Sequence, residues 1–165
     1  MTIIAEDSPQ YLFDVKEICE LPELQERQID VGVLAESKLA TEAISRGYVA
    51  WWPMGHAQKA DVCLWKPPSR PVTVQVKNAQ WKGHKERGYW QCYVASKRGG
   101  AANLRGGDAY RKYAAGDFDV LAMYVPTANA FKFWRLTDIS GQLCLSITDL
   151  STLNNWHVIE DALKA

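Results

Sequence analysis

Hydrophobic and polar positions along the chain alternate with two different periods, and each period predicts a different element. From about Asp30 to Arg46 the apolar positions recur at helical spacing, with Val33, Glu36, Ala40, Ala43 and Gly47 along one stripe. Asp30 is placed to cap the start of this helix, and Gly47 to end it in a left-handed conformation. Residues 72–78 alternate with a period of two. Val72, Val74 and Val76 share one face of the predicted strand, and Thr73, Gln75 and Lys77 share the other. Shorter runs predict strands over 48–52, 61–65, 89–95, 119–125 and 131–136, with turns at 53–56, at Pro67-Pro68 and at 126–129. Residues 97–107 read as a basic, glycine-rich loop, 108–115 as a short helix, and 155–164 as a C-terminal helix. The first 29 residues are weakly patterned and interrupted by Pro9 and Pro22. These elements predict an α/β (α+β) fold with a mixed β-sheet flanked by helices. They divide the chain into an N-terminal extension (1–29), a core (30–140) and a C-terminal helical tail (141–165).

Composition narrows the class. A chain of 165 residues that is 47% hydrophobic and 23% charged can bury one core and is too apolar for disorder. No run approaches the length of a membrane span, and Met1 to Gln10 lacks the basic and apolar regions of a signal peptide. Cys19, Cys63, Cys92 and Cys144 are scattered without CxxC pairs. That argues against a zinc site and suits reduced thiols in the cytoplasm. The net charge is zero but unevenly spread. Between Lys59 and Lys112, twelve Lys and Arg stand against three acids (Asp61, Glu86, Asp108), an excess of nine positive charges that the remainder offsets. A basic half on a neutral protein suits a polyanion, or simply makes a solvated face.

The chemistry-bearing residues fall on the predicted elements in a suggestive order. Glu36 sits on the protein-facing stripe of the helix, where a carboxylate needs a partner or a cation, although it also fits as a surface glutamate paired with a lysine. Asp61 opens a strand, and Gln75 and Lys77 share one face of another. Together they suit phosphodiester hydrolysis. Asp61, the Gln75 side-chain carbonyl and the Val76 backbone carbonyl supply oxygens to a hard cation, Mg²⁺ with Mn²⁺ as the substitute, and Glu36 would hold a water near it. Lys77 would orient the attacking water and stabilise the charge growing on the phosphate. Asn78, Lys82, Lys85, Arg87, Lys97, Arg98 and Arg105 are the candidate DNA contacts. Trp51, Trp52, Trp65 and Trp134 lie in or beside predicted strands and are expected as core or sheet-packing residues. Trp81 and Trp90 flank the basic stretch and fit either base stacking or packing. His56, five residues before Asp61, is a weaker candidate for phosphate contact.

The run Leu34-Ala35-Glu36, residues 43–48 (AISRGY), Pro53-Met54-Gly55, Ala60-Asp61-Val62 and residues 74–79 (VQVKNA) resembles the PD-(D/E)xK endonuclease core. Tyr110 and residues 117–125 (DFDVLAMYV) and 133–136 (FWRL) extend the resemblance. It is closest to the branch similar to archaeal Holliday-junction resolvases and bacterial PD-(D/E)xK homing endonucleases, and it covers about 30–139. It implies a restriction-endonuclease-like core with Glu36, Asp61, Gln75 and Lys77 as catalytic residues. It also implies a Mg²⁺-dependent endonuclease acting on double-stranded or branched DNA, either site-specific in the homing manner or structure-specific, and working as a homodimer or homotetramer. Ala60 replaces the proline of the family signature. Gln75 replaces its acidic residue, a substitution that some homing endonucleases of the superfamily share but that removes a formal charge. A nuclease-fold DNA-binding module without catalysis is therefore the alternative, and an oligomeric assembly protein whose basic face meets a protein partner is a further one.

Overall fold

The computed structural model describes residues 28–54, 59–84, 87–97 and 110–164. The N-terminal extension before residue 28, His56, Lys85, Arg98 and Arg105 lie outside the described residues, and so does the side chain of Lys97.

Helix α1 (Gln28–Ser45) is followed by strands β1 (Val49–Trp51), β2 (Val62–Trp65), β3 (Val72–Asn78), β4 (Gln80–His84), β5 (Arg87–Tyr93), β6 (Ala95–Lys97) and β7 (Tyr110–Lys112). Then come β8 (Val120–Val125), β9 (Ala130–Arg135), β10 (Cys144–Ile147) and helix α2 (His157–Lys164). Five strands form a mixed sheet in the order β1-β2-β3-β8-β9, in which β3 and β8 run parallel and the other neighbours antiparallel. Strands β10, β5 and β4 form a second sheet of three, and β6 pairs with β7.

The large sheet is covered on both faces. Val72, Val74 and Val76 of β3, with Val120, Ala122 and Tyr124 of β8, pack against Ala35, Leu39 and Ala43 of α1 and Trp156, Ile159 and Ala162 at the C-terminus. On the opposite face Leu121, Met123 and Val125 meet Cys92 and Leu145 of the small sheet, with Tyr113, Phe118 and Leu136 around them. All six residues of β8 are buried, which is why this strand reads as an unbroken apolar run while β3 alternates. The predicted α/β arrangement is therefore the observed one. Among the described residues no helix is long and apolar enough to cross a membrane.

Several expectations need correction. Asp30 lies within α1 instead of capping it, whereas Gly47 does close the helix at φ +82°. Val33 is 55% exposed, so the buried stripe of α1 runs instead through Ala35, Leu39, Ala40 and Ala43. The helix predicted over 108–115 is not formed: 110–112 is strand β7, laddered to β6. Local sequence did not reveal this pairing because its partner lies some fifteen residues away. The tail, 141–165, holds strand β10 as well as α2. Strand β4 was not anticipated, since Gln80-Trp81-Lys82-Gly83-His84 carries a single apolar side chain. Of the two places expected for Trp51, Trp52 and Trp65, the core is not one they take: Trp51 ends β1, the edge strand among the described residues, Trp52 follows it, Trp65 ends β2, and they stay 37%, 49% and 36% exposed. Trp134 does pack against the core.

One polar lock ties β3 to β8 at the start of their parallel pairing. Asp119 accepts hydrogen bonds from the Thr73 backbone N–H (2.8 Å), the Thr73 hydroxyl (2.8 Å) and the Arg70 guanidinium (3.0 Å). Burial works against its charge, but these donors outweigh burial and hold the carboxyl below the usual carboxylate range. Stability from a lowered carboxylate pKa is present above the unfolded value near 3.8 and is lost as pH falls through the folded value. Asp119→Asn should therefore cost about 2 kcal/mol at pH 7, measured by urea unfolding, and the gap to wild type should close below pH 4. A gap that persists unchanged to pH 3 would show that the charge is not what the lock uses.

Candidate active site

The site forms where β2 meets β3. Antiparallel pairing sets Val62 opposite Val74, which brings Asp61, just before β2, level with Gln75. The Asp61 N–H donates to Val74 O (2.9 Å), and its carboxylate accepts from the Val76 N–H (2.7 Å) and from the Gln75 amide. Gln75 is the one polar side chain in the buried set, at 6% exposure, and its amide nitrogen also reaches Val76 O at 3.2 Å. Burial raises the Asp61 pKa, an effect that the Val76 hydrogen bond, the Lys77 charge and the Gln75 hydrogen bond reduce without cancelling.

Lys77, one alternation further along the same face, lies with its ammonium 5.6 Å from the centre of the Tyr113 ring. Glu36 approaches from α1. Its pKa is raised to about 6, first by burial and then by the Asp61 charge, with Lys77 pulling the other way. Glu36, Asp61, Gln75 and Lys77, spread over 42 residues of sequence, thus belong to one cluster. Two carboxyls with raised pKa values beside a lysine form the kind of polarised group that proton transfer or cation binding uses.

Among the described residues no three His, Cys, Asp or Glu side chains converge as a metal-ligand group. The convergent donors are all oxygens of mixed type: the Asp61 carboxylate, the Val76 carbonyl and, with its amide turned, the Gln75 carbonyl. That set fits a hard divalent cation that keeps part of its water shell, and not a soft one. Asn78 falls outside the cluster. It shares the helix-side face of β3 with Val74 and Val76, and its Oδ1 is buried without a partner among the described residues. Lys82 and Arg87 lie on the small sheet.

Sequence reasoning missed Tyr113. Its ring is buried, stacks edge-on with Phe118 at 4.8 Å and lies against Lys77. Burial raises its pKa, with the Lys77 charge opposing. The residue reaches the site only because β7 pairs with β6, and nothing local to Tyr113 signals this. A cavity of about 540 Å³ opens instead near the start of β3 and β8, lined by Arg70, Thr73, Asp119 and Arg135. It touches none of the four clustered residues, and its Arg70 is already paired with Asp119.

The raised Glu36 pKa has a consequence for stability. Below pH 4.5 the residue is protonated in both folded and unfolded chains and contributes nothing. Between 4.5 and 6 the unfolded chain ionises first and folding loses free energy; above 6 the penalty is constant. Glu36→Gln should therefore stabilise the fold in EDTA at pH 8 by about 1 kcal/mol, discounted for solvent screening, and by nothing at pH 4. Equal unfolding midpoints at pH 8 would place Glu36 in water and outside the cluster.

No protein-family profile and no curated protein matches the chain. Among solved structures, it is similar to a bacterial homing endonuclease, I-Ssp6803I, with a TM-score of 0.65 at 21% identity over 81% of this chain and 95% of that one. At this identity the likeness is one of fold.

Proposed function

We propose that the chain is a divalent-cation-dependent DNA endonuclease of the PD-(D/E)xK type, hydrolysing phosphodiester bonds. The observation that carries the reading is the gathering of Asp61, Gln75, Lys77 and Glu36 at one end of the β2–β3 pair, within a fold similar to that of a homing endonuclease. Asp61, Gln75 and the Val76 carbonyl would hold Mg²⁺ or Mn²⁺, which when bound acidifies water and neutralises charge on the phosphate. The chain's own groups do the rest. The Lys77 ammonium, held over the Tyr113 ring, faces the phosphate and stabilises the negative charge that grows on its oxygens. Glu36, half protonated near pH 6, accepts a hydrogen bond or a proton from the attacking water. Lys82 and Arg87 on β4 and β5 supply DNA contacts. Free thiols at Cys63, Cys92 and Cys144 suit a cytoplasmic protein.

The decisive assay is supercoiled plasmid and branched DNA incubated with the chain across a Mg²⁺ series and in EDTA. Wild type should cut, and Asp61→Ala and Lys77→Ala should lower the rate by at least about a hundredfold while keeping the fold and most of the DNA affinity. Gln75→Glu should cut at lower Mg²⁺, because an added ligand charge tightens divalent-cation binding. Turnover in pure Asp61→Ala would remove the site as assigned. A wild type that never cuts beside a Gln75→Glu variant that does would make the natural chain a DNA-binding module on a nuclease fold.

The same reading makes the chain a homodimer or homotetramer, since cutting both strands at one place takes two sites related by symmetry. Among the described residues, Val49, Trp51 and Trp52 on and beside the edge strand β1, with Trp65 at the end of β2, leave apolar surface exposed, which supports an interface there. Light scattering should report at least twice 18.6 kDa, and Trp51→Asp should lower it. A wild-type mass of one chain both free and on DNA would refute this.

A further inference from the structure

The small sheet has one face built into the protein and one face left open, and the register separates them residue by residue. Trp81 pairs with Trp90, Trp90 with Ile147, and Cys92 with Leu145; along this face burial runs from Cys92 and Leu145, at 2% and 8% exposure, to Trp81, which keeps 39%. Gly83 pairs with Gly88 on the same inner side. A Cβ on Gly88 would lie 2.6 Å from the Trp81 ring, so the glycine is what lets that indole fold flat against the strand. Trp81 and Trp90 then meet with ring centres 5.3 Å apart, bracing the hairpin from behind.

The outer face carries the alternate positions: Gln80 opposite Gln91, Lys82 opposite Tyr89, and His84 opposite Arg87. Among the described residues no acidic side chain shares this face, and beyond the backbone ladder none of these six side chains makes a hydrogen bond or ion pair. Six unpartnered donors and acceptors in paired rungs on a braced hairpin present hydrogen-bonding capacity outward.

We propose that this face reads base edges in the major groove of duplex DNA. The inference rests on the nuclease reading and extends it from cleavage to sequence recognition. Width and charge select this partner. Strand β10 pairs only with residues 90–93 of β5, so the Lys82–Tyr89 and His84–Arg87 rungs lie where the hairpin is two strands wide, and the Gln80–Gln91 rung lies beside the end of β10. A major groove about 12 Å across admits a two-stranded ribbon. Same-face residues lie about 6.8 Å apart along a strand, roughly two base-pair steps, so the three rungs cover about four base pairs. The side chains are of the types that distinguish bases there: glutamine for adenine, and arginine or lysine for guanine. The deep, narrow groove of duplex RNA excludes such a ribbon. Strand β4 begins three residues after Lys77, so the bases read lie next to the phosphate that the cluster would attack.

The test uses the full chain carrying Lys77→Ala, so that it binds without cutting, and a pool of 30-base-pair duplexes with randomised sequence. The expected result is a selected consensus containing a short window of guanine and adenine. Adding Arg87→Ala should relax one guanine in the window, and Gln80→Ala or Gln91→Ala one adenine, by about five- to a hundredfold. Methylation of guanine N7 within the window should block binding, and duplex RNA of the selected sequence should not compete. A consensus that survives all three substitutions, with affinity and salt dependence falling evenly, would reduce the ribbon to a phosphate clamp and overturn the inference while leaving the nuclease reading intact. Binding without any sequence preference would overturn it equally. Failure to bind any duplex would remove both.

Discussion

The Asp61 carboxylate is where the polar and apolar demands of this fold meet. It sits against a strand whose neighbours are buried on both faces, and burial there disfavours its charge. The chain answers with donors that the strand register delivers: the Val76 N–H, the Gln75 amide and, nearby, the Lys77 ammonium. None of these would arrive if β2 and β3 were shifted by one residue, because that slip would exchange the Gln75–Lys77 face for the valine face. The valines are in turn pinned by α1 on their own side. The polar cluster and the hydrophobic core are thus two consequences of a single register.

That dependence explains how the two faces of β3 divide their work. Val72, Val74 and Val76 lie in the core beneath the helices, while Thr73, Gln75 and Lys77 face the side of the small sheet. Along the second face the chemistry changes with position. At the start, Thr73 is satisfied within the molecule by Asp119. At the centre, Gln75 is committed to Asp61. Further on, Lys77 rests on a ring and keeps its ammonium available. Beyond the end of β3, the side chains on the outer face of β4 have no partner among the described residues. Internal satisfaction thus declines along one continuous stretch of backbone, and the side chains left to meet a ligand lie at its far end.

How much of this was legible in the sequence depends on whether the signal was local. The alternation in 72–78 and the apolar run at 120–125 are properties of a few adjacent residues, and both strands lie where that pattern puts them. Glu36, Asp61, Gln75 and Lys77 could be grouped because each sits at a recognisable point of such an element. What failed was non-local. Residues 110–112 are a strand only because β6 is there to pair with, and Tyr113 is near Lys77 only because of that pairing. Strand β4 has two charged or imidazole side chains and a glycine in five residues, a pattern that signals exposure and conceals a ladder. The tryptophans of 51, 52 and 65 stay partly exposed although large apolar side chains are usually covered: they lie at the ends of β1 and β2, at the margin of the sheet.

Gln75 raises the question of why an amide stands where the signature has an acid, and the geometry of this chain offers a physical reason. The position is almost fully buried, and the two carboxyls nearest to it already have raised pKa values. A third carboxylate would add like charge to a group that burial already penalises, and one of the three would take up a proton at neutral pH. The amide instead donates to Asp61 and lies within reach of Val76 O, so its nitrogen satisfies two of the oxygens that the proposal assigns to a cation. Presenting its carbonyl there requires a half-turn of the amide, which gives up both hydrogen bonds. Cation binding by this chain would then be opposed by a local rearrangement that an acid at position 75 would not need. The same amide that satisfies the cluster on its own is what would make it a weaker host for a cation.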